Sequence, residues 1–215
     1  MSLRKTPFVA GEYYHIYNRG NSKQIIFHDK TDYDRFLKLL FLANSRENFK
    51  MFFIKDDIYD SDRGEQLVDI GAYCLMPNHF HLLLAQTEDG DISRFMQKLS
   101  TGYSMYYNNK YERTGALFEG KFKSGYADDD NYLKYLYSYI HLNPVKLIDA
   151  NWKEGGIKDK FRTIKYLEQY TYSSYLDYLG KIRPQNKIIN PSVFPVYFSG
   201  KASLKQEVYD WLNPI

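Results

Sequence analysis

Two histidines, His79 and His81, stand one residue apart inside the apolar run MPNHFHLLL, Met76 to Leu84. In a strand, residues i and i+2 project from the same face. The two imidazoles therefore point together, and Phe80 turns the other way, into a core. Buried polar groups are costly unless they find partners. The pair is either satisfied by hydrogen bonds or offers two nitrogen ligands to a divalent metal; the run itself holds no third ligand. A second stretch, YSYIHLNPVK from Tyr137 to Lys146, reads as a helix end. There Tyr139 and Asn143 are four apart and share a face, whereas His141 points elsewhere. Asn143 lies just before Pro144, at an expected frayed end where its carboxamide is free to reach out, and its oxygen is a plausible metal ligand. Taken alone, Tyr139 reads as Tyr132 and Tyr135 do, as a tyrosine by which an amphipathic helix packs on a sheet. His15 and His28 read as structural, and Cys74 as a small core residue.

The elements that must hold these residues follow from periodicity and turn signals. Tyr13 to Asn18 reads as an aromatic-rich strand ending at the Arg19-Gly20-Asn21 turn. Asp32 to Leu42 reads as a helix with Thr31 as its N-cap. Met51 to Ile54 reads as a strand, and Asp56 to Glu65 as an acidic loop. Leu67 to Leu75 and His79 to Ala85 read as two strands joined at Pro77-Asn78. Ile92, Phe95, Met96, Leu99 and Tyr103 recur at helical spacing, which predicts a helix over Asp91 to Tyr107. Gly115 to Ser124 is glycine-punctuated and strand-like. Asp128 to Leu142 reads as a helix with an acidic start, ended by Pro144. Further on, Asp149 to Lys165 reads as a loop and Tyr172 to Leu179 as a short helix. Ser203 to Leu212 reads as a C-terminal helix capped by Ser203. This order predicts an α+β fold with a mostly antiparallel sheet.

Composition sets limits. The 215-residue chain is long enough for a substantial core. It is 44% hydrophobic and 26% charged, ordinary values for a globular protein, but it carries 22 tyrosines and 14 phenylalanines. Such residues suit half-buried surfaces and stacking on ligands. A net charge of +3 permits a nucleic-acid partner without arguing for one. The single cysteine excludes an intramolecular disulfide and fits a reducing, cytoplasmic setting. There is no 18-residue apolar run and no secretory h-region, so no membrane association is expected.

Together, the His79-Phe80-His81 and Tyr139-Ile140-His141-Leu142-Asn143-Pro144-Val145 stretches resemble the HUH single-tyrosine transposases, most closely the REP-associated branch. YHIYNRGN from Tyr14, GALFEGKFKS from Gly115 and TYSSY from Thr171 are further family-like pieces. The resemblance spans roughly residues 12 to 178, with Asp56 to Glu65 as an apparent insertion. It implies a catalytic domain over 1–180 and a C-terminal extension over 181–215 with no assigned role. It also implies a ferredoxin-like or RRM-like antiparallel sheet with helices packed on it. Tyr139 would be the nucleophile, and His79, His81 and Asn143 would hold Mg²⁺ or Mn²⁺. The implied substrate is single-stranded DNA next to a hairpin, cleaved and rejoined through a 5′-phosphotyrosine, by a monomer or homodimer. Arg19, Arg113, Lys121, Lys123 and Lys146 are candidate phosphate contacts. Three other readings stay open: a metal-dependent nuclease that uses water, a non-catalytic hairpin-binding protein, and a metal-free interaction domain.

Overall fold

In the computed structural model, which describes residues 7–48, 58–198 and 200–212, strands and long helices alternate. The order is β1 (Tyr13–Arg19), α1 (Lys30–Leu42), β2 (Val68–Met76), β3 (His79–Gln86), α2 (Asp91–Lys110) and β4 (Lys123–Tyr126). All strand pairs are antiparallel, in the spatial order β2-β3-β1-β4. This is the β-α-β-β-α-β ferredoxin-like arrangement, the fold expected from the sequence. The expected strand over residues 51–54 lies outside the described residues.

The central strands are apolar at nearly every position because both faces of the sheet are covered. One face presents Ile16, Tyr73, Phe80 and Leu82 to Phe36, Leu40, Phe95 and Leu99 of α1 and α2. The other presents Cys74, Met76 and Leu83 to Leu133, Leu136 and Ile140 of α3 (Asp130–Leu142). Asp129 caps α3 by accepting the Tyr132 N–H. The β1–β3 register sets Tyr17 opposite His81 and Arg19 opposite His79. By strand alternation, His15, Tyr17, His79 and His81 all lie on the face that α3 covers. Just after β1, Gly20 leaves no room for a side chain: an added Cβ would fall 2.3 Å from the Gln24 carbonyl oxygen.

Several local expectations need correction. Asp29, not Thr31, caps α1, because its carboxylate accepts the Asp32 N–H at 3.1 Å. The 115–124 stretch is strand only at its end; before that Leu117 and Phe118 are consecutive and both buried, which breaks strand alternation. Pro144 ends α3 but the chain continues as a 3₁₀ turn over Asn143–Leu147, so this end is buried rather than frayed. The 149–165 stretch is not all loop. It contains the single turn α4 (Trp152–Gly155) and the start of α5 (Lys160–Leu167), which is capped by Asp159. The last helix starts two residues earlier than expected, following Gly200 rather than Ser203.

The TYSSY stretch explains itself at the exposed edge of β2. Leu75 N–H donates to the Tyr172 carbonyl, Ser174 N–H donates to the Tyr73 carbonyl, and Cys74 bridges Ser173. Covering an edge strand removes a site for unwanted pairing. Next comes the turn α6 (Tyr175–Tyr178), then residues 181–198, then α7 (Lys201–Trp211), whose Leu204 and Val208 join a third apolar cluster with Leu142, Val145 and Trp152. Phe194 lies flat on β2 at Gly71, where an added Cβ would meet its ring at 2.8 Å.

Arg183 ties this segment down. Its guanidinium clamps the buried Asp177 carboxylate with two hydrogen bonds of 2.7 and 2.6 Å, and donates to the Tyr73 hydroxyl and the Thr171 and Ser173 carbonyls. The Asp177 side chain is only 2% exposed. Removing one partner of a buried pair leaves an uncompensated charge. Arg183→Ala is expected to lower unfolding stability by about 3–5 kcal/mol in urea denaturation. A loss below about 1 kcal/mol would show that the pair is not the anchor it resembles.

Candidate active site

The histidines and the tyrosine meet between β1, β3 and α3. The His79 and His81 rings lie 5.0 Å apart at 89°. Tyr139 stands edge-on to His81 with ring centroids 5.5 Å apart, and edge-on to His15 at 5.6 Å. The structure thus brings the histidine pair and the tyrosine together. His15, read from the sequence as structural, lies against the pair: its Nε2 is 2.9 Å from His81 Nδ1. His28 is structural, with Nε2 2.8 Å from the Tyr107 hydroxyl. His141 points away to Ser174 Oγ at 2.8 Å.

The second nitrogens of the two histidines are already engaged. His79 Nδ1 lies 2.6 Å from Asn78 Oδ1, and His81 Nδ1 faces His15. Such partners orient metal-binding imidazoles and leave the opposite nitrogen free to ligate. Burial keeps both rings neutral: it pushes His79 down to about 4, aided by the nearby Lys146 charge, and His81 further below the ordinary value. A neutral imidazole is the form that ligates. Asn143 is buried rather than reaching out. Its Nδ2 donates to the Tyr139 carbonyl at 2.8 Å, which leaves its amide oxygen for the side of His79. Among the described residues no three His, Cys, Asp or Glu side chains gather around a possible metal position. Two imidazoles and a carboxamide are thus the donor set the chain offers.

Tyr139 is half-buried, and among the described residues its hydroxyl has no hydrogen-bond partner. Burial, with Tyr135, Tyr17 and Tyr132 nearby, raises its pKa above the usual phenol value. The phenol is therefore protonated at neutral pH. The Lys153 ammonium lies 4.8 Å from its ring centroid, where a cation favours a developing phenolate.

The predicted basic residues divide. Lys146 is exposed at the rim, close enough to depress His79. Lys123 sits in register with Tyr17 on the same face, and Lys121 is exposed two residues before it. Arg19 lies opposite His79 but forms a two-point ion pair with Glu119. Arg113 is not brought to this face; it lies beyond α2, 5.6 Å from the Tyr107 ring centroid. Sequence reasoning missed His15, Tyr17, Lys153 and the siting of Tyr135. The alternation of His15 and Tyr17 along β1 was the available signal, because both project from one face.

The buried imidazoles also predict acid sensitivity of the metal-free protein. His15 and His79 are held near 4, and His141 near 3, chiefly by burial. Unfolded histidines take up protons near pH 6.5, so between about 6.5 and 4 the unfolded state binds more protons. Stability is full above that window and falls as pH drops through it, by on the order of 3 kcal/mol for one such imidazole. Chemical denaturation in chelator from pH 8 to 4 measures the slope; a flat profile would contradict the burial.

Residues 9–143 match the family model described as Transposase IS200 like. The chain belongs to the IS200-like transposase family. No curated protein matches it. Among solved structures, a REP-associated tyrosine transposase bound to a REP hairpin is similar with a TM-score of 0.54 at 13% identity, over 93% of this chain and 92% of that one. At that identity the likeness shows a shared fold. The IS200-like match ends at Asn143 and so takes in β1, the histidine pair and all of α3. Among the described residues no helix is long and apolar enough to cross a membrane.

Proposed function

We propose that this chain cleaves and rejoins single-stranded DNA beside hairpins, with Tyr139 as a covalent nucleophile. The observation that carries the reading is Tyr139, whose hydroxyl has no partner among the described residues, standing edge-on to His81 beside the His79–His81 pair in an IS200-like chain. His79, His81 and the Asn143 amide oxygen would hold a divalent cation. Two imidazoles suit Mn²⁺ better than Mg²⁺, which prefers oxygen ligands. When bound, such an ion polarises a phosphodiester oxygen and orients the phosphate.

The chain's own residues supply the rest. Tyr139 Oη attacks phosphorus, forming the Tyr–O–P bond as the P–O3′ bond breaks. The phenol proton passes through solvent to the departing 3′-oxygen, so that strand leaves with a free 3′-hydroxyl. Lys153 stabilises the phenolate as charge develops on the ring. Lys146 and Lys123, on the same side of the sheet as the histidines, would hold flanking phosphates. The phosphodiester is conserved in the covalent bond, so attack by another 3′-hydroxyl rejoins strands without ATP. The hairpin in the substrate is suggested by the hairpin-bound structural neighbour.

The test is incubation of hairpin oligonucleotides, labelled on either side of the single-stranded flank, with protein and Mn²⁺, followed by a denaturing gel. A label that migrates with the protein supports the tyrosine mechanism. Cleavage with no adduct supports the water-using nuclease, and hairpin binding with neither supports a non-catalytic binder.

A further inference from the structure

Tyr139 is on the wall of two recesses. One opens toward His15, Tyr17 and His81. The other is a cavity of about 240 Å³ whose wall includes Tyr135, Asn143, Trp152 and Trp211, with Lys146 and Lys153. Trp211 comes from α7, in the part of the chain that no sequence motif explained. We infer that this second cavity receives one unpaired nucleobase next to the scissile phosphate, and that Trp211 is the residue on which that base stacks. The inference rests on the strand-cleavage reading above and names how that site takes its substrate.

Three observations support it. The cavity is smaller than the roughly 300–1,000 Å³ of sites for drug-sized ligands, which suits a single base rather than a run of them. Its walls are aromatic and its charged groups are two ammoniums; among the described residues no carboxylate lines it. That combination matches single-stranded nucleic acid, where bases stack on aromatic rings and cations follow the backbone. Trp211 is 42% exposed, so part of its ring is open to a ligand. Its ring is nevertheless held in place. Nε1–H donates to Glu207 Oε1 at 3.2 Å, Glu207 pairs with Lys134 of α3 at 2.9 Å, and the ring lies 5.1 Å from Tyr135. A preset ring loses little freedom on binding.

Because Tyr139 borders both this cavity and the histidine recess, a base seated here would bring its adjoining phosphate to the tyrosine. α7 would then take part in substrate selection rather than only packing.

The experiment measures binding, in chelator, of fluorescein-labelled DNA hairpins with thymidine flanks. Each flank position is replaced in turn by an abasic residue. Wild type, Trp211→Ala and Trp211→Phe are compared, with thermal melting to check that each variant folds. Trp211→Ala is expected to weaken binding roughly tenfold, and Trp211→Phe to restore most of it. One abasic position is expected to weaken wild type comparably and to cost Trp211→Ala almost nothing, since the base and the ring are then already uncoupled. Trp211→Ala binding within about twofold of wild type, or abasic penalties unchanged in the variant, overturns the inference. The same oligonucleotides, with Mn²⁺, separate it from the proposed function. A Tyr139 adduct without this coupling removes the base pocket and keeps the cleavage reading. Coupling without an adduct keeps the pocket and removes tyrosine cleavage. Wild-type protein that binds no hairpin overturns both.

Discussion

Tyr139→Phe is expected to abolish the covalent protein–DNA adduct and to lower strand cleavage by at least about 10³-fold, since removing a covalent nucleophile eliminates the step itself. The substitution deletes one oxygen and keeps the ring. That ring makes the edge-on contacts with His15 and His81 and lies under Lys153. The lost hydroxyl has no hydrogen-bond partner among the described residues, so the change in stability should stay within about 0.5 kcal/mol. Hairpin binding should survive. The outcome separates the candidate mechanisms: a water-using nuclease would retain cleavage in the variant. Tyr135 is the informative control. It borders both recesses beside Tyr139, yet Tyr135→Phe should retain the adduct.

His79→Ala and His81→Ala are each expected to reduce cleavage by at least about 100-fold at fixed Mn²⁺ while leaving hairpin affinity within about threefold. The two changes differ in cost to the fold. His81 is more deeply buried and pairs with His15 at 2.9 Å, so its loss strands a buried ring nitrogen and should cost about 1–3 kcal/mol. His79→Ala removes a less buried ring and disturbs the fold less, which makes it the cleaner test of ligation. Added Mn²⁺ should rescue His79→Ala partially and His81→Ala little. Full cleavage by both variants would remove the metal-site reading.

The site was legible in the sequence where one element carried both partners. His79 and His81 share a strand, and period 2 alone puts them on one face. Tyr139 and Asn143 share a helix end, and the four-residue spacing aligns them; their hydrogen bond at 2.8 Å follows. His15 was not legible because its relevance depends on β1 lying beside β3, a pairing between residues more than sixty apart. The burial of Asn143 was missed because Pro144 was read as a simple stop, whereas the chain turns on as a 3₁₀ segment under α5 and α7. Lys153 was hidden in a single helical turn with no period to detect. The segment after residue 180 was opaque for a related reason. Its 3₁₀ turns over Pro184–Ile188 and Pro191–Val193 lack any repeating apolar pattern, and its placement depends on Arg183 and on Phe194 meeting Gly71.

The most direct measurement locates the DNA on the protein. Wild-type protein trapped with a hairpin oligonucleotide and Mn²⁺ is digested with nuclease and trypsin, and the peptide Tyr135–Lys146 is sequenced by mass spectrometry. That peptide contains Tyr135, Tyr137 and Tyr139, so fragment ions assign the modified residue. A phosphonucleotide on Tyr139 alone is the expected result. A phosphonucleotide on Tyr135 or Tyr137, or cleaved DNA with an unmodified peptide, would contradict the assignment of Tyr139 as the nucleophile.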